Sequence, residues 1–139
     1  PLAARLAGGL DPSEVGPPCP EPVSLPIPVS RKTGETTWEV EIIGTDRFGN
    51  CLTSLEIDTS PFSLENLKGL IIRPGNDRYF LPLVGAYSDV GPGDPCLIRG
   101  SCGYLEFSLN GANASDFFSL KSGDRCPISP VTEDEERLP

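Results

Sequence analysis

The run Asp46-Arg47-Phe48-Gly49-Asn50 sets a carboxylate, a guanidinium, an aromatic face and a carboxamide around one glycine. A carboxylate holds an ammonium, an aromatic ring stacks on a flat or cationic group, and a carboxamide offers both donor and acceptor to the edge of a heterocycle. Gly49 lets the backbone come close to a ligand. The same residues also spell a bulged hairpin in which Asp46 and Asn50 cap a turn and Phe48 plugs the core. Taken alone, the run supports either reading.

Three further segments have the same double character. Gly100-Ser101-Cys102-Gly103 gathers a hydroxyl and backbone N–H groups suited to an anion such as a carboxylate, or it is a hairpin turn with Cys102 as a small buried side chain. Asn110-Gly111-Ala112-Asn113-Ala114 offers free backbone groups to a base edge, or it is a strand-to-helix turn with Asn113 as the N-cap. Tyr87 is either a stacking platform for a planar ligand or a core aromatic.

What the chain lacks narrows the chemistry. It has no histidine, which removes Ser-His and Cys-His nucleophilic catalysis and histidine-ligated metals. Ser101 is therefore a poor nucleophile, and one neighbouring base, Arg99, is thin support for an activated Cys102 thiol. The acids scatter over turns and the chain end, so no paired-carboxylate chemistry and no catalytic residue is assigned. No metal or cofactor is expected, and no phosphate-cradling glycine loop is present.

A net charge of −9 with no basic stripe argues against nucleic acid. No run approaches the roughly 20 apolar residues that cross a bilayer, so no membrane partner is expected. The five cysteines, Cys19, Cys51, Cys96, Cys102 and Cys126, are odd in number and contain no C-x-x-C pair, which favours reduced thiols in a cytoplasmic protein.

The elements that must position these residues are short. With 139 residues, 16 prolines and 15 glycines, the chain suits one domain with many turns and few long helices. Residues 2–7 have helical propensity and stop at Gly8-Gly9, and from Asp11 to Pro28 seven prolines in eighteen residues describe an extended linker. Alternation predicts strands over 37–42 and 104–109, with others over 51–54, 69–73, 78–81, 84–88, 95–98 and 125–128, and a short helix within 112–120. Seven or eight short strands are best satisfied by a closed sheet without edges. The fold class is all-β, a small antiparallel β-barrel. The division is 1–9 for a helix end, 10–36 for the linker, 37–129 for the barrel and 130–139 for an acidic tail around Glu133-Asp134-Glu135-Glu136.

In order along the chain, Asp46-Arg47-Phe48-Gly49-Asn50 with Leu52-Thr53, Ala86-Tyr87-Ser88-Asp89 with Gly93, Gly100 to Glu106, Asn110 to Ala114, and Gly123-Asp124 form a set. The set resembles the C-terminal domain of the S-adenosyl-L-methionine (SAM) hydroxide adenosyltransferases, relatives of the fluorinating and chlorinating enzymes. The resemblance implies a homotrimer in which SAM lies between this barrel and the N-terminal α/β domain of a neighbouring copy. There water displaces methionine from the ribose C5′ carbon. It implies that Asp46 and Ser101 hold the methionine ammonium, with Phe48 beside them and Cys102 near the methionine carboxylate. Asn50 would bond the adenine edge, Tyr87 stack on the adenine, and the backbone at Asn110, Gly111 and Ala112 read its Watson–Crick side. The helix at 2–7 would then close the α/β domain, whose Asp, Arg and His prepare the water.

Three positions depart from the family pattern. Cys102 stands where halogenating members have an arginine, which favours water over halide as nucleophile. Ser54 replaces an asparagine and Arg5 a histidine. Two other readings follow from the same residues: a halide-using adenosyltransferase, and a non-catalytic barrel working in interaction or oligomerisation.

Overall fold

Alternation along Trp38–Thr45 (β2) builds the first wall: Val40 and Ile42 are fully buried, while Glu39 and Glu41 face outward toward Arg125 at 3.4 and 3.8 Å. A computed structural model describes residues 1–132. The other elements are α1 (Leu2–Ala7), β1 (Arg31–Lys32), β3 (Cys51–Glu56), β4 (Leu67–Ile72), β5 (Tyr79–Val84), β6 (Pro95–Arg99), β7 (Tyr104–Leu109), α2 (Ala114–Phe118) and β8 (Arg125–Thr132).

Seven strands close on themselves in the order β2-β3-β7-β6-β5-β4-β8, and β8 returns to β2 from Trp38↔Ile128 to Glu41↔Arg125. Closure leaves no exposed ladder in the ring. Leu55, Leu70, Leu81, Leu97, Leu105, Phe107 and Ile128 fill the interior without solvent exposure, and α2 adds Ala114 and Phe118 to the same core. Among the described residues no helix is long and apolar enough to cross a membrane. All five cysteines are free thiols.

The all-β barrel is as expected, but it is not wholly antiparallel. β5 and β6 run parallel, pairing Leu83↔Leu97 and Val84↔Ile98. Parallel neighbours need a crossover rather than a tight turn, and residues 85–94 supply it. The strand expected over 84–88 is absent for this reason. Val84 ends β5, and Tyr87–Asp89 forms a 3-10 turn in the crossover.

Two boundaries also move. The linker expected over 10–36 contains a 3-10 turn at Pro12–Glu14, capped by Asp11, and the short strand β1, which pairs with β2 through Arg31↔Glu39 and Lys32↔Trp38. Strand β8 runs past the expected barrel end to Thr132, pairing Pro130, Val131 and Thr132 with β4, so these three residues belong to the sheet. The rest of the expected tail, 133–139, lies outside the described residues.

Irregularities in β2 and β3 aim the segment between them. Ile42↔Thr53 is followed by Gly44↔Leu52, a one-residue bulge that bends β2 just before residue 46. On β3 the ladder jumps from Leu52↔Glu106 to Glu56↔Tyr104. Buried side chains satisfy the displaced backbone: Thr53 Oγ1 donates to the Leu105 carbonyl at 2.7 Å, and Ser54 Oγ accepts from the Glu41 amide at 3.0 Å. Ser54 thus has a definite structural role.

Candidate functional site

On β7, Leu105 and Phe107 point into the barrel, so Glu106 points out. Its cross-strand partners are Leu52 on β3 and Ile98 on β6, which share its face. Ile98 and Glu106, on the outer face of β6 and β7, lie at the floor of a cavity of about 810 Å³. The 46–50 loop, the 85–94 crossover, the 100–103 turn and the 110–113 segment rise around it.

The 46–50 loop is organised by Asp46. Its Oδ1 accepts from the Phe48 amide at 2.8 Å and the Asn50 amide at 2.9 Å, and its Oδ2 accepts from Asn50 Nδ2 at 2.9 Å. Burial pushes the carboxyl up, but these bonds outweigh it and hold the group below its ordinary value. The turn closes with Asp46 N–H to the Asn50 carbonyl and Gly49 N–H to the Asp46 carbonyl, both 3.1 Å. Gly49 has φ +87°, and a Cβ there would collide with the Asn113 carboxamide. Glycine is therefore required for conformation and for space.

Asn50 is buried, and its Nδ2 also donates to the Tyr87 hydroxyl at 3.3 Å. A carboxylate only accepts, so Asn50 must turn its NH₂ toward Asp46. That orientation leaves Oδ1 as its uncommitted acceptor. Asp89 Oδ2 accepts from the amides of Gly85 and Ala86 at 3.2 and 2.9 Å and so shapes the crossover that presents Tyr87. Asn110 Nδ2 donates to the Val90 carbonyl at 2.8 Å, tying the end of β7 to the same crossover.

Phe48 is 64% exposed at the rim, with the Arg47 guanidinium 4.7 Å from its ring centroid. Ser101 lies in the 100–103 turn, closed by Gly103 N–H to the Gly100 carbonyl at 3.1 Å. Asn113 caps α2 by accepting from the Asp116 amide at 3.0 Å. Capping and pocket lining coexist in this residue.

Of the nine residues expected at the site, Asp46, Phe48, Asn50, Tyr87, Ser101, Asn110, Gly111 and Ala112 line this one cavity. Cys102 is exposed and stands outside the lining. The turn that was to bury it instead directs it to solvent. The cavity also takes in Ile98, Arg99, Glu106 and Asn113, to which the sequence reading gave no ligand role. Strand alternation was the available signal for Glu106, since it stands between the core residues Leu105 and Phe107. Burial and then the Asp46 carboxylate push the Glu106 carboxyl up, and burial and then Glu106 push the Tyr87 hydroxyl up. Among the described residues no group of three or more Cys, Asp or Glu side chains is placed to hold a metal ion.

An open, mostly apolar cavity with convergent amides, carboxamides and two carboxylates suits an elongated ligand that has a flat heterocycle and a cationic end. The sequence profile of the SAM hydroxide adenosyltransferase C-terminal domain matches residues 40–127. The chain belongs to this family. A (R)-S-adenosyl-L-methionine hydrolase of Thermus thermophilus is 32% identical over 123 residues, covering 88% of this chain and 43% of that protein. One from Salinispora tropica is 31% identical over 133 residues, covering 93% and 47%. The chain thus spans less than half the length of these relatives. Among solved structures, a conserved protein from Thermotoga maritima superposes with a TM-score of 0.68 at 25% identity over 92% of this chain and 49% of its own. A Thermus thermophilus protein gives 0.53 at 30% identity over 93% and 48%. Membership in the adenosyltransferase family accounts for the order of the motifs and for the barrel that carries them.

Proposed function

We propose that this chain is the substrate-binding barrel of an enzyme that hydrolyses SAM to adenosine and L-methionine. The observation that carries the reading is the convergence of eight residues, from four segments far apart in sequence, on one cavity. Asn50 Oδ1 takes the adenine amino group, Tyr87 stacks on the ring, and the backbone over 110–112 reads its far edge. Asp46, Ser101 and Phe48 surround the methionine end. Water attacks ribose C5′, the C–S bond breaks with its electron pair going to sulfur, and one proton is released to solvent. Sulfur leaves as a neutral thioether, so the reaction needs mainly alignment and a partly desolvated nucleophile.

The groups that prepare water come, by the family resemblance, from an α/β domain of a neighbouring copy in a homotrimer. Exposed Phe48 and Tyr87 at the cavity rim are consistent with a second wall closing over them. Five free thiols are consistent with a cytoplasmic setting. Isothermal titration tests the binding half of the proposal: the chain takes up SAM and adenosine, and Asn50→Ala weakens both by about tenfold. Adenosine release, followed by chromatography, tests the catalytic half. The chain alone produces none, and turnover by it would overturn the division of labour.

A further inference from the structure

This inference rests on the SAM reading and concerns what sets the plane of the Tyr87 ring. Ser108 on β7 is fully buried, and among the described residues its hydroxyl completes no hydrogen bond. A hydroxyl withdrawn from water without a partner is costly, and an alanine would occupy the same strand position without that cost. Packing alone therefore does not account for a serine here.

Its position is fixed by the sheet. Leu105, Phe107 and Leu109 face the core, so Ser108 stands with Glu106 on the outer face. On the β6 side it pairs with Cys96. On the β3 side, the pairing Cys51↔Phe107 carried one residue further sets it opposite Asn50. Asn50, Ser108 and Cys96 thus form a row across the outer face, and the Tyr87 hydroxyl lies over that row. Asn50 Nδ2 donates to this hydroxyl at 3.3 Å. Burial and Glu106 push the phenol up, and the Ser108 hydroxyl works against them.

Because Asn50 donates into the Tyr87 oxygen, the phenol's own proton needs a different acceptor. Glu106 is not that acceptor. A Cβ at Gly100 would collide with the Glu106 carboxylate, so that side chain runs toward the 100–103 turn and acts on Tyr87 through its charge. Ser108 Oγ is the acceptor that the row supplies. The contact to it is open and the Asn50 bond is long, and Tyr87, 38% exposed in its 3-10 turn, is the member of the set with room to shift.

We propose that Ser108 is a positioning residue for adenine: it accepts the Tyr87 phenol proton when a base lies on the ring, and so locks the ring in its stacking plane. An adenine on the exposed face seats Tyr87 against the sheet. Only in that arrangement is the buried hydroxyl satisfied.

A double-mutant cycle on adenosine binding tests this. Adenosine is titrated calorimetrically into the wild-type chain, Ser108→Ala, Tyr87→Phe and the double variant. Phenylalanine keeps the stacking ring and removes the hydroxyl. Each single change is expected to weaken adenosine binding by about three- to tenfold, and Ser108→Ala adds nothing once Tyr87 is phenylalanine. Ultraviolet titration of the tyrosines, with the Tyr87→Phe curve subtracted, is the second readout. The Tyr87 phenol ionises at higher pH in Ser108→Ala, because the phenolate has lost a donor. Unchanged adenosine affinity in Ser108→Ala, or losses that simply add, overturns the assignment and leaves the SAM reading standing. So does an unmoved Tyr87 titration. A melting temperature of Ser108→Ala clearly below wild type marks a structural role and also overturns it. If the wild-type chain binds no adenosine, the stacking reading itself fails and takes the assignment with it.

Discussion

Asp46 and Glu106 share a cavity and a charge but respond to pH in opposite directions, because their surroundings favour opposite protonation states. Asp46 is held below its ordinary value by the amides and carboxamide it accepts from, despite the upward push of burial. A depressed folded-state pKa means stability that is present above the unfolded value and lost as pH falls through the folded one. Asp46→Ala is therefore expected to cost about 1–2 kcal/mol at neutral pH, with the difference from wild type shrinking in acid. Urea unfolding at pH 7 and pH 3 checks this, and a pH-independent difference would sink the capping role. Glu106 is raised by burial and by Asp46, so its ionisation opposes folding. Its stabilising contribution is present in acid and is lost as pH rises through its folded-state pKa. Glu106→Gln is accordingly expected to gain stability at pH 7 and none in acid, read by the same unfolding curves; a loss at pH 7 would contradict an unpartnered carboxylate. The acidity of both positions is plain in the sequence, but their jobs are not equally so. The partners of Asp46 lie within four residues, so turn chemistry finds them. The surroundings of Glu106 are set by β3, β6 and Gly100, which only pairing brings together.

At the scale of elements, the cavity exists because two connections are lifted off the sheet. The β2–β3 connection is pinned by Gly49 against the cap of α2, and Ser115 N–H reaches back to the Gly49 carbonyl at 2.9 Å. Gly49→Ala meets both a left-handed φ and a filled space, and should cost about 2–4 kcal/mol. Gly93 is the internal control. It has a similar φ of +81° but nothing within reach of a Cβ, so Gly93→Ala should cost about 1 kcal/mol. Equal melting temperatures for the two variants would refute the packing role of Asn113. Alternation located β2 and β7 to within a few residues because one face of each is buried. It misjudged the β5–β6 connection, since nothing within residues 84–88 states that the next strand will run parallel. That depends on where a crossover lands, which is decided by the register of distant strands. Tyr87, expected at the site from the family motif, lines the cavity, while its element was misread.

Closure is the property of the whole molecule that the residue pattern anticipated. Many short strands with no other means of covering their edges imply a ring, and β8 on β2 completes it. The parts that pattern could not assign, β1 and the end of β8, are strands whose pairing is driven by the closed sheet rather than by their own sequence. Closure also sorts the thiols. Cys51 and Cys126 are buried in the barrel core and Cys96 is buried on the outer face of β6, and burial pushes the Cys51 thiol up to about 12 and the Cys126 thiol up to about 11, with Cys96 also raised. The thiolate is the reactive form, so these three are doubly protected, by access and by protonation. Cys19 in the proline-rich segment and Cys102 in the 100–103 turn are exposed. An aromatic disulfide reagent at pH 8 is therefore expected to titrate two thiols rapidly, and three more only after denaturant is added. Five fast thiols, Cys51 and Cys126 among them, would mean that the barrel opens on the timescale of the assay, and the closed ring described here could not then be the state that holds a ligand.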